Sequence, residues 1–171
     1  MIRHLTAADF TVMPWANGGG QTTEMIRVNR SDGSLLYRIS LAAVMEDGPF
    51  SVFPGVDRIL TVTSGPGFDL RGDASLRADP LKPLAFSGDL ALRAEGVQAP
   101  CDDINVMVRR GAMRAGVAVQ DGGTAVGAMV ALIALSPLRA GWLEAARYDL
   151  ILTDAPITFD GQAIVVTLTE V

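Results

Sequence analysis

The sequence predicts an all-β protein, a sandwich or a barrel. Apolar residues recur in short alternating runs rich in Val, Ile, Leu and Thr, and clusters of glycine, proline and aspartate separate the runs. No stretch keeps a 3.6-residue period for three turns. Leu35 to Val44 alternates around Tyr37, Ile39 and Leu41. Arg58 to Thr63, Ile104 to Val108 and Ala112 to Val119 continue the style, and Met129 to Leu135, Tyr148 to Thr153 and Ala163 to Thr169 complete it. Gly48-Pro49, Gly65-Pro66-Gly67, Gly72-Asp73, Asp121-Gly122-Gly123 and Asp160-Gly161 read as turns. Leu138 to Tyr148 comes nearest to helical spacing, but Gly141 within it allows at most a short helix.

At 171 residues, 49% of them hydrophobic and 19% charged, the chain has enough apolar material for one compact domain or two tightly fused subdomains. That composition excludes intrinsic disorder. A soft boundary falls at Arg109-Arg110-Gly111, beyond which polar residues thin out, so a local function is expected in the first two-thirds. The longest apolar stretch, Ala125 to Leu135, has 11 residues, whereas a bilayer-spanning helix needs roughly 20. No membrane span and no secretory signal are expected, and the single Cys101 excludes an internal disulfide, which points to the cytoplasm. The net charge of −5, with basic residues scattered, argues against nucleic acid as a partner. Lys82, the one lysine, lies between Pro80 and Pro83, a poor place for a Schiff base or a phosphate contact. His4 is the one histidine, which removes most metalloenzyme and triad chemistry.

Several motifs fail on inspection. Gly122 to Gly127 has the glycine spacing of a phosphate loop, but Ala128-Met129 stand where Lys and Ser/Thr are required. Gly18-Gly19-Gly20 does not continue into a dinucleotide fingerprint. Cys101, flanked by Asp102 and Asp103 in an apolar segment, reads as inert.

The segment from Pro14 to Glu24 is different in kind. Three consecutive glycines weaken a strand through chain entropy, and they pay for a bulge or for a close approach of ligand or backbone. Trp15 is placed to wall that approach, and Thr22 and Glu24 share one face of the strand that follows. The plain alternative is a glycine bulge with Glu24 in solvent. Two further same-face polar pairs occur, Arg38 with Ser40 and Asp103 with Asn105. If those faces look outward, the strands are ordinary amphipathic ones. If they look inward, Glu24, Arg38, Asp103 and Asn105 meet in a barrel, where buried charges must pair or await a ligand. Periodicity leaves both open.

Five blocks in order resemble the HutD/Ves family. They are Pro14-Trp15-Ala16-Asn17-Gly18-Gly19-Gly20 with Thr22 and Glu24, then Tyr37-Arg38-Ile39-Ser40-Leu41-Ala42, and Gly48 to Arg58. Phe86-Ser87-Gly88-Asp89 and Asp103-Ile104-Asn105-Val106-Met107 with Arg109-Arg110-Gly111 complete the set. The resemblance implies a cupin-like fold of the RmlC jelly-roll type, a bicupin with two small fused β-barrels, often paired as a homodimer. The division expected is residues 1–110 as a first barrel carrying the site and 111–171 as a second, smaller portion. It further implies a non-catalytic partner of histidine utilisation that binds an acidic metabolite such as formylglutamate. Metal-binding cupins need two or three histidines in the barrel, so His4 alone predicts a barrel without metal or other cofactor.

On this reading the ligand-binding residues are Trp15, Asn17, Thr22, Glu24, Arg38, Ser40, Ser51, Arg58, Asp103 and Asn105. Arg38 and Arg58 would clamp a small carboxylate, because guanidinium suits bidentate recognition. Asn17, Thr22, Ser51 and Asn105 would add hydrogen bonds, and Glu24 or Asp103 would take an amide or amine. Arg58 is expected at a barrel mouth with its stem along apolar residues, and its plain alternative is a salt bridge to Asp57. Two other function classes compete: a metal-independent isomerase or lyase with Glu24 or Asp103 as general base, and a structural protein braced by internal ion pairs.

Overall fold

The alternating runs form seventeen strands in the computed structural model, which describes residues 1–171. In chain order, β1 (Ile2–Leu5) precedes a single 3-10 turn at Ala7–Asp9. Next come β2 (Thr11–Pro14), β3 (Gly20–Asn29), β4 (Leu35–Val44), the two-residue β5 (Gly48–Pro49) and β6 (Val56–Ser64). Then follow β7 (Phe68–Gly72), β8 (Ser75–Ala78), β9 (Leu84–Ser87), β10 (Leu92–Glu95) and β11 (Cys101–Arg109). The last stretch holds β12 (Met113–Ala125), β13 (Met129–Ala134), β14 (Leu138–Ala140), β15 (Leu143–Ala145), β16 (Leu150–Thr153) and β17 (Ile157–Glu170). No helix is long and apolar enough to cross a membrane.

The chain divides into two compact units, residues 11–110 and residues 1–10 with 111–171. The boundary at Arg110 and Gly111 is where composition shifts. The first ten residues belong with the C-terminal unit rather than with the first barrel, because β1 pairs with β16 from Ile2 opposite Thr153 to Leu5 opposite Leu150. An unpaired strand edge is a liability, and β1 covers the edge of β16.

Unit 11–110 is built from two antiparallel sheets, one in the order β2-β3-β4-β11-β6-β9 and one in the order β5-β10-β7-β8. Val44, Leu60, Val62 and Cys101 from the larger sheet cluster with Phe68, Leu70, Leu92 and Ala94 from the smaller. Burial of a side chain such as Phe68 contributes about 1.5–3 kcal/mol, so this cluster holds the two sheets together.

The C-terminal unit is one sheet in the order β1-β16-β13-β17-β14-β15, with β12 also on β17. Three local readings change here, one of them at Asp160-Gly161, which lies inside β17 opposite the irregularity in β12 and is not a turn between strands. Leu138 to Tyr148 is the hairpin β14–β15 and not a helix: Leu138, Ala140, Leu143 and Ala145 are buried while Arg139 and Glu144 are exposed. That period of two holds within each strand on either side of the Gly141-Trp142 turn, and it outweighs the weak helical spacing. Asp121-Gly122-Gly123 is a β-bulge inside β12, with Gly122 at φ +72° and Gly123 at φ +135°. The same left-handed conformations that close turns also form bulges, so turn chemistry alone does not tell them apart.

Candidate functional site

The register of the larger sheet lays out a grid of side chains. One row is Arg38 on β4, Met107 on β11 and Arg58 on β6. The next is Ser40, Asn105 and Leu60, and the third is Ala42, Asp103 and Val62. Glu24 stands opposite Ser40 and Thr22 opposite Ala42. Val44, Leu60, Val62 and Cys101, on the same face as these rows, belong to the apolar cluster of the unit. The polar face is therefore the inward one. The opposite face, with Tyr37, Ile39, Ile104 and Val106, is also buried, which is why alternation could not assign an inside.

Above this floor lies a cavity of about 410 Å³. Thr22, Arg38, Ser40, Ala42, Arg58, Asn105 and Met107 line it from the sheet. Trp15, Ala16 and Asn17 line it from the β2–β3 turn, and Pro49, Phe50, Ser51 and Phe53 from the segment around and after β5. Eight of the ten residues named from sequence thus border one space. Glu24 and Asp103 do not border it: Glu24 stands behind Arg38, and Asp103 lies one row below Asn105. Sequence reasoning missed the apolar and aromatic lining, above all Phe50 and Phe53. Both sit in a loop where no periodicity marks an inward side chain, although their block was visible in the family resemblance.

The glycine run has a specific local cause. Trp15 N donates to Gly20 O (3.0 Å), Gly18 N to Trp15 O (3.1 Å) and Gly19 N to Asn17 Oδ1 (2.9 Å), closing the hairpin. The Trp15 ring then lies against Gly20, and its Nε1 donates to Thr22 Oγ1 at 2.8 Å. A Cβ on Gly20 would stand 2.2 Å from Ala43 O and 3.0 Å from two Trp15 ring carbons. Gly20→Ala is therefore expected to cost on the order of 1–3 kcal/mol and to loosen Trp15. Denaturant unfolding and tryptophan emission check this, and unchanged values for both would refute it.

Arg58 carries the most unusual environment. It is 6% exposed, not at a mouth, and its guanidinium carbon lies 5.0 Å from the Phe86 ring centroid, 5.2 Å from Phe53 and 5.6 Å from Phe50. Its Nη1 donates to Ser51 O (3.2 Å) and its Nη2 to Asn105 Oδ1 (2.9 Å), while Nε is buried without a partner. Asp57 is not its partner, since Arg110 Nε holds Asp57 at 2.8 Å. Burial lowers the Arg58 pKa to about 10, partly offset by Asp103 and reinforced by Arg38, so the group is cationic at neutral pH. Arg38 Nε lies 2.8 Å from Glu24 Oε2, an ion pair out of line for a hydrogen bond, and burial lowers its pKa while Glu24 opposes the shift.

Asp103 is fully buried; its Oδ1 accepts from Asn105 Nδ2 and its Oδ2 has no partner. Burial raises its pKa to about 8, with Arg58 opposing and Asp102 adding to the rise. A carboxyl raised in this way favours the folded state fully below its unfolded value of about 4, and that contribution is lost as pH climbs to about 8. Wild type is expected to lose stability relative to Asp103→Asn over that window, by at most about 1.4 kcal/mol per pH unit. Parallel pH–stability curves for the two proteins would show this wrong.

Cys101 is buried at the end of β11 and burial raises its thiol pKa, so it stays a thiol. No three His, Cys, Asp or Glu side chains converge in an arrangement fit to hold a metal ion.

Comparison with known proteins sets this geometry in a family. A family model described as HutD matches residues 7–165. The chain belongs to the HutD/Ves family. It is 36% identical over 112 residues to an uncharacterized 21.2 kDa protein in the hutC 3′ region of Pseudomonas putida, covering 62% of this chain and 57% of that protein. It is 34% identical over 122 residues to Protein Ves of Citrobacter koseri, covering 66% of this chain and 62% of that one. The matching stretch thus spans less than two thirds of either relative. The solved HutD from Pseudomonas fluorescens SBW25, in a formate condition, superposes with a TM-score of 0.90 at 27% identity over 100% of both chains. HutD/Ves proteins are linked to a histidine-utilisation gene region through the hutC-region relative. The cupin-like architecture also recurs in Ylba of E. coli, at a TM-score of 0.69 and 10% identity over 99% of this chain and 90% of that one, a likeness of fold alone.

Proposed function

We propose that this chain is a non-catalytic binding protein for a small carboxylate, a metabolite of histidine utilisation such as formylglutamate, and that it moderates that pathway. One observation carries the reading. Arg58 is a buried cation held in an aromatic cage at the wall of a 410 Å³ cavity, with a donor nitrogen still unpartnered. A buried charge that lacks a full set of partners is costly, and an incoming carboxylate supplies both the charge and the acceptors. The volume suits a ligand of this size. Trp15, Phe50 and Phe53 exclude water around the contact, while Ser40 and Thr22 offer hydroxyl groups to the rest of the molecule.

Neither carboxylate that could serve as a general base borders the cavity. Glu24 is engaged by Arg38, and Asp103 lies beneath Asn105, which favours binding over an isomerase or lyase. The purely structural reading leaves the cavity without a purpose. A thermal-shift panel of histidine-pathway metabolites tests the proposal. Carboxylates are expected to raise the unfolding temperature while their neutral amides do not. No shift with any carboxylate would overturn it.

A further inference from the structure

We propose that Asp103, which does not touch the cavity, sets the charge of the ligand the cavity accepts: protonated, it leaves Arg58 as an uncompensated cation that takes a carboxylate, and ionised, it neutralises the floor and rejects one. This rests on the carboxylate reading of the cavity.

The geometry supplies the link. Arg58 Nη2 donates to Asn105 Oδ1 at 2.9 Å, and the other end of the same amide, Nδ2, donates to Asp103 Oδ1. Asp103 thereby fixes which end of Asn105 meets the guanidinium, and it sits one side chain away from the ligand's anchor. Its own surroundings disfavour charge. An ionised carboxylate calls for several donors, and fully buried Asp103 has one, with Oδ2 unpartnered.

The other charges near it are few. On its own strand stand Asp102, which accepts from Ser64 Oγ at 3.2 Å, and the thiol of Cys101. From β6 comes Arg58, and from β4 Arg38, already matched by Glu24 on β3. Arg27, farther along β3 and exposed, is 4.0 Å from the same Glu24. The smaller sheet presents Phe68, Leu70, Leu92 and Ala94 to this core, none of them titratable. With Arg38 and Glu24 cancelling, the charge of the floor is decided by Arg58 and by whether Asp103 holds its proton. Carboxylate binding above the pH at which Asp103 ionises then requires uptake of a proton.

Calorimetric titration of the wild-type protein with glutarate, which has no group titrating between pH 7 and pH 9, tests this directly. Titrations in buffers of different ionisation heat count the protons. Half-ionisation near pH 8 means that about a tenth of the molecules are competent at pH 9, so affinity is expected to be about tenfold weaker there than at pH 7. Close to one proton is expected to be taken up per glutarate at pH 9, and Asp103→Asn is expected to bind with the same affinity at both pH values without proton uptake. Wild-type binding with no proton uptake at pH 9 would overturn the role of Asp103 whether or not the variant folds. An equal pH dependence in Asp103→Asn would do the same, and either result leaves the carboxylate reading standing. Failure of glutarate, formate and formylglutamate to bind either protein at pH 7 removes the carboxylate reading and this inference together.

Discussion

Arg58→Ala is expected to weaken carboxylate binding by about 2–5 kcal/mol, the range for truncating one partner of a buried, hydrogen-bonded charge pair. The guanidinium is the cation the ligand would meet inside the aromatic cage of Phe50, Phe53 and Phe86, and nothing else on the floor can replace it. Arg38, in the same row across Met107, is already held by Glu24. Arg58→Lys keeps a charge but loses the planar fork and its stacking on the phenylalanine rings, so it should recover only part of the loss. Stability responds as well, because truncation leaves Asn105 Oδ1 and Ser51 O without their donor. Calorimetric titration of the three proteins with formylglutamate decides the point. Equal affinities for wild type and Arg58→Ala would remove Arg58 from the site.

The fold was legible because the strands alternate and the turns between them carry glycine, proline and aspartate. Leu35–Val44 was read at its observed bounds for that reason. The polar constellation was legible for the same reason, as Arg38 with Ser40 and Asp103 with Asn105 each repeat at a period of two. What alternation could not supply is depth. Asn105 borders the cavity and Asp103 does not, although both point to one face of β11, because on β11 the cavity stops at Asn105 even though Ala42 and Thr22, level with Asp103, still line it. Loops carry no period, so Phe50 and Phe53 were invisible as walls, and Ser51, named as a hydrogen-bonding residue, meets Arg58 through its backbone carbonyl. Trp15 and the glycines were legible as a pair for a steric reason: a large ring and a missing Cβ fit each other.

Removing Glu24 should expose how the floor tolerates two arginines. Arg27 stands directly opposite Arg38 in the β3–β4 register, and Glu24 Oε2 lies 2.8 Å from Arg38 Nε and 4.0 Å from Arg27 Nη1. The register shift between Glu24 and Ile26 is what lets one carboxylate face both cations. Glu24→Ala leaves Arg38, with its side chain 9% exposed, as an unpaired buried charge beside a like charge. The expected loss is about 2–4 kcal/mol, less than for a fully enclosed pair because water still reaches Glu24, whose side chain is 22% exposed. Arg38→Met in the same chain removes the stranded charge and fills its volume with an apolar stem, so the double variant should be more stable than Glu24→Ala alone. A double-mutant cycle by denaturant unfolding is expected to give a coupling on the order of 2 kcal/mol. Strictly additive losses would mean that solvent, not Glu24, compensates Arg38, and that the ion pair is no part of what holds the cavity floor in place.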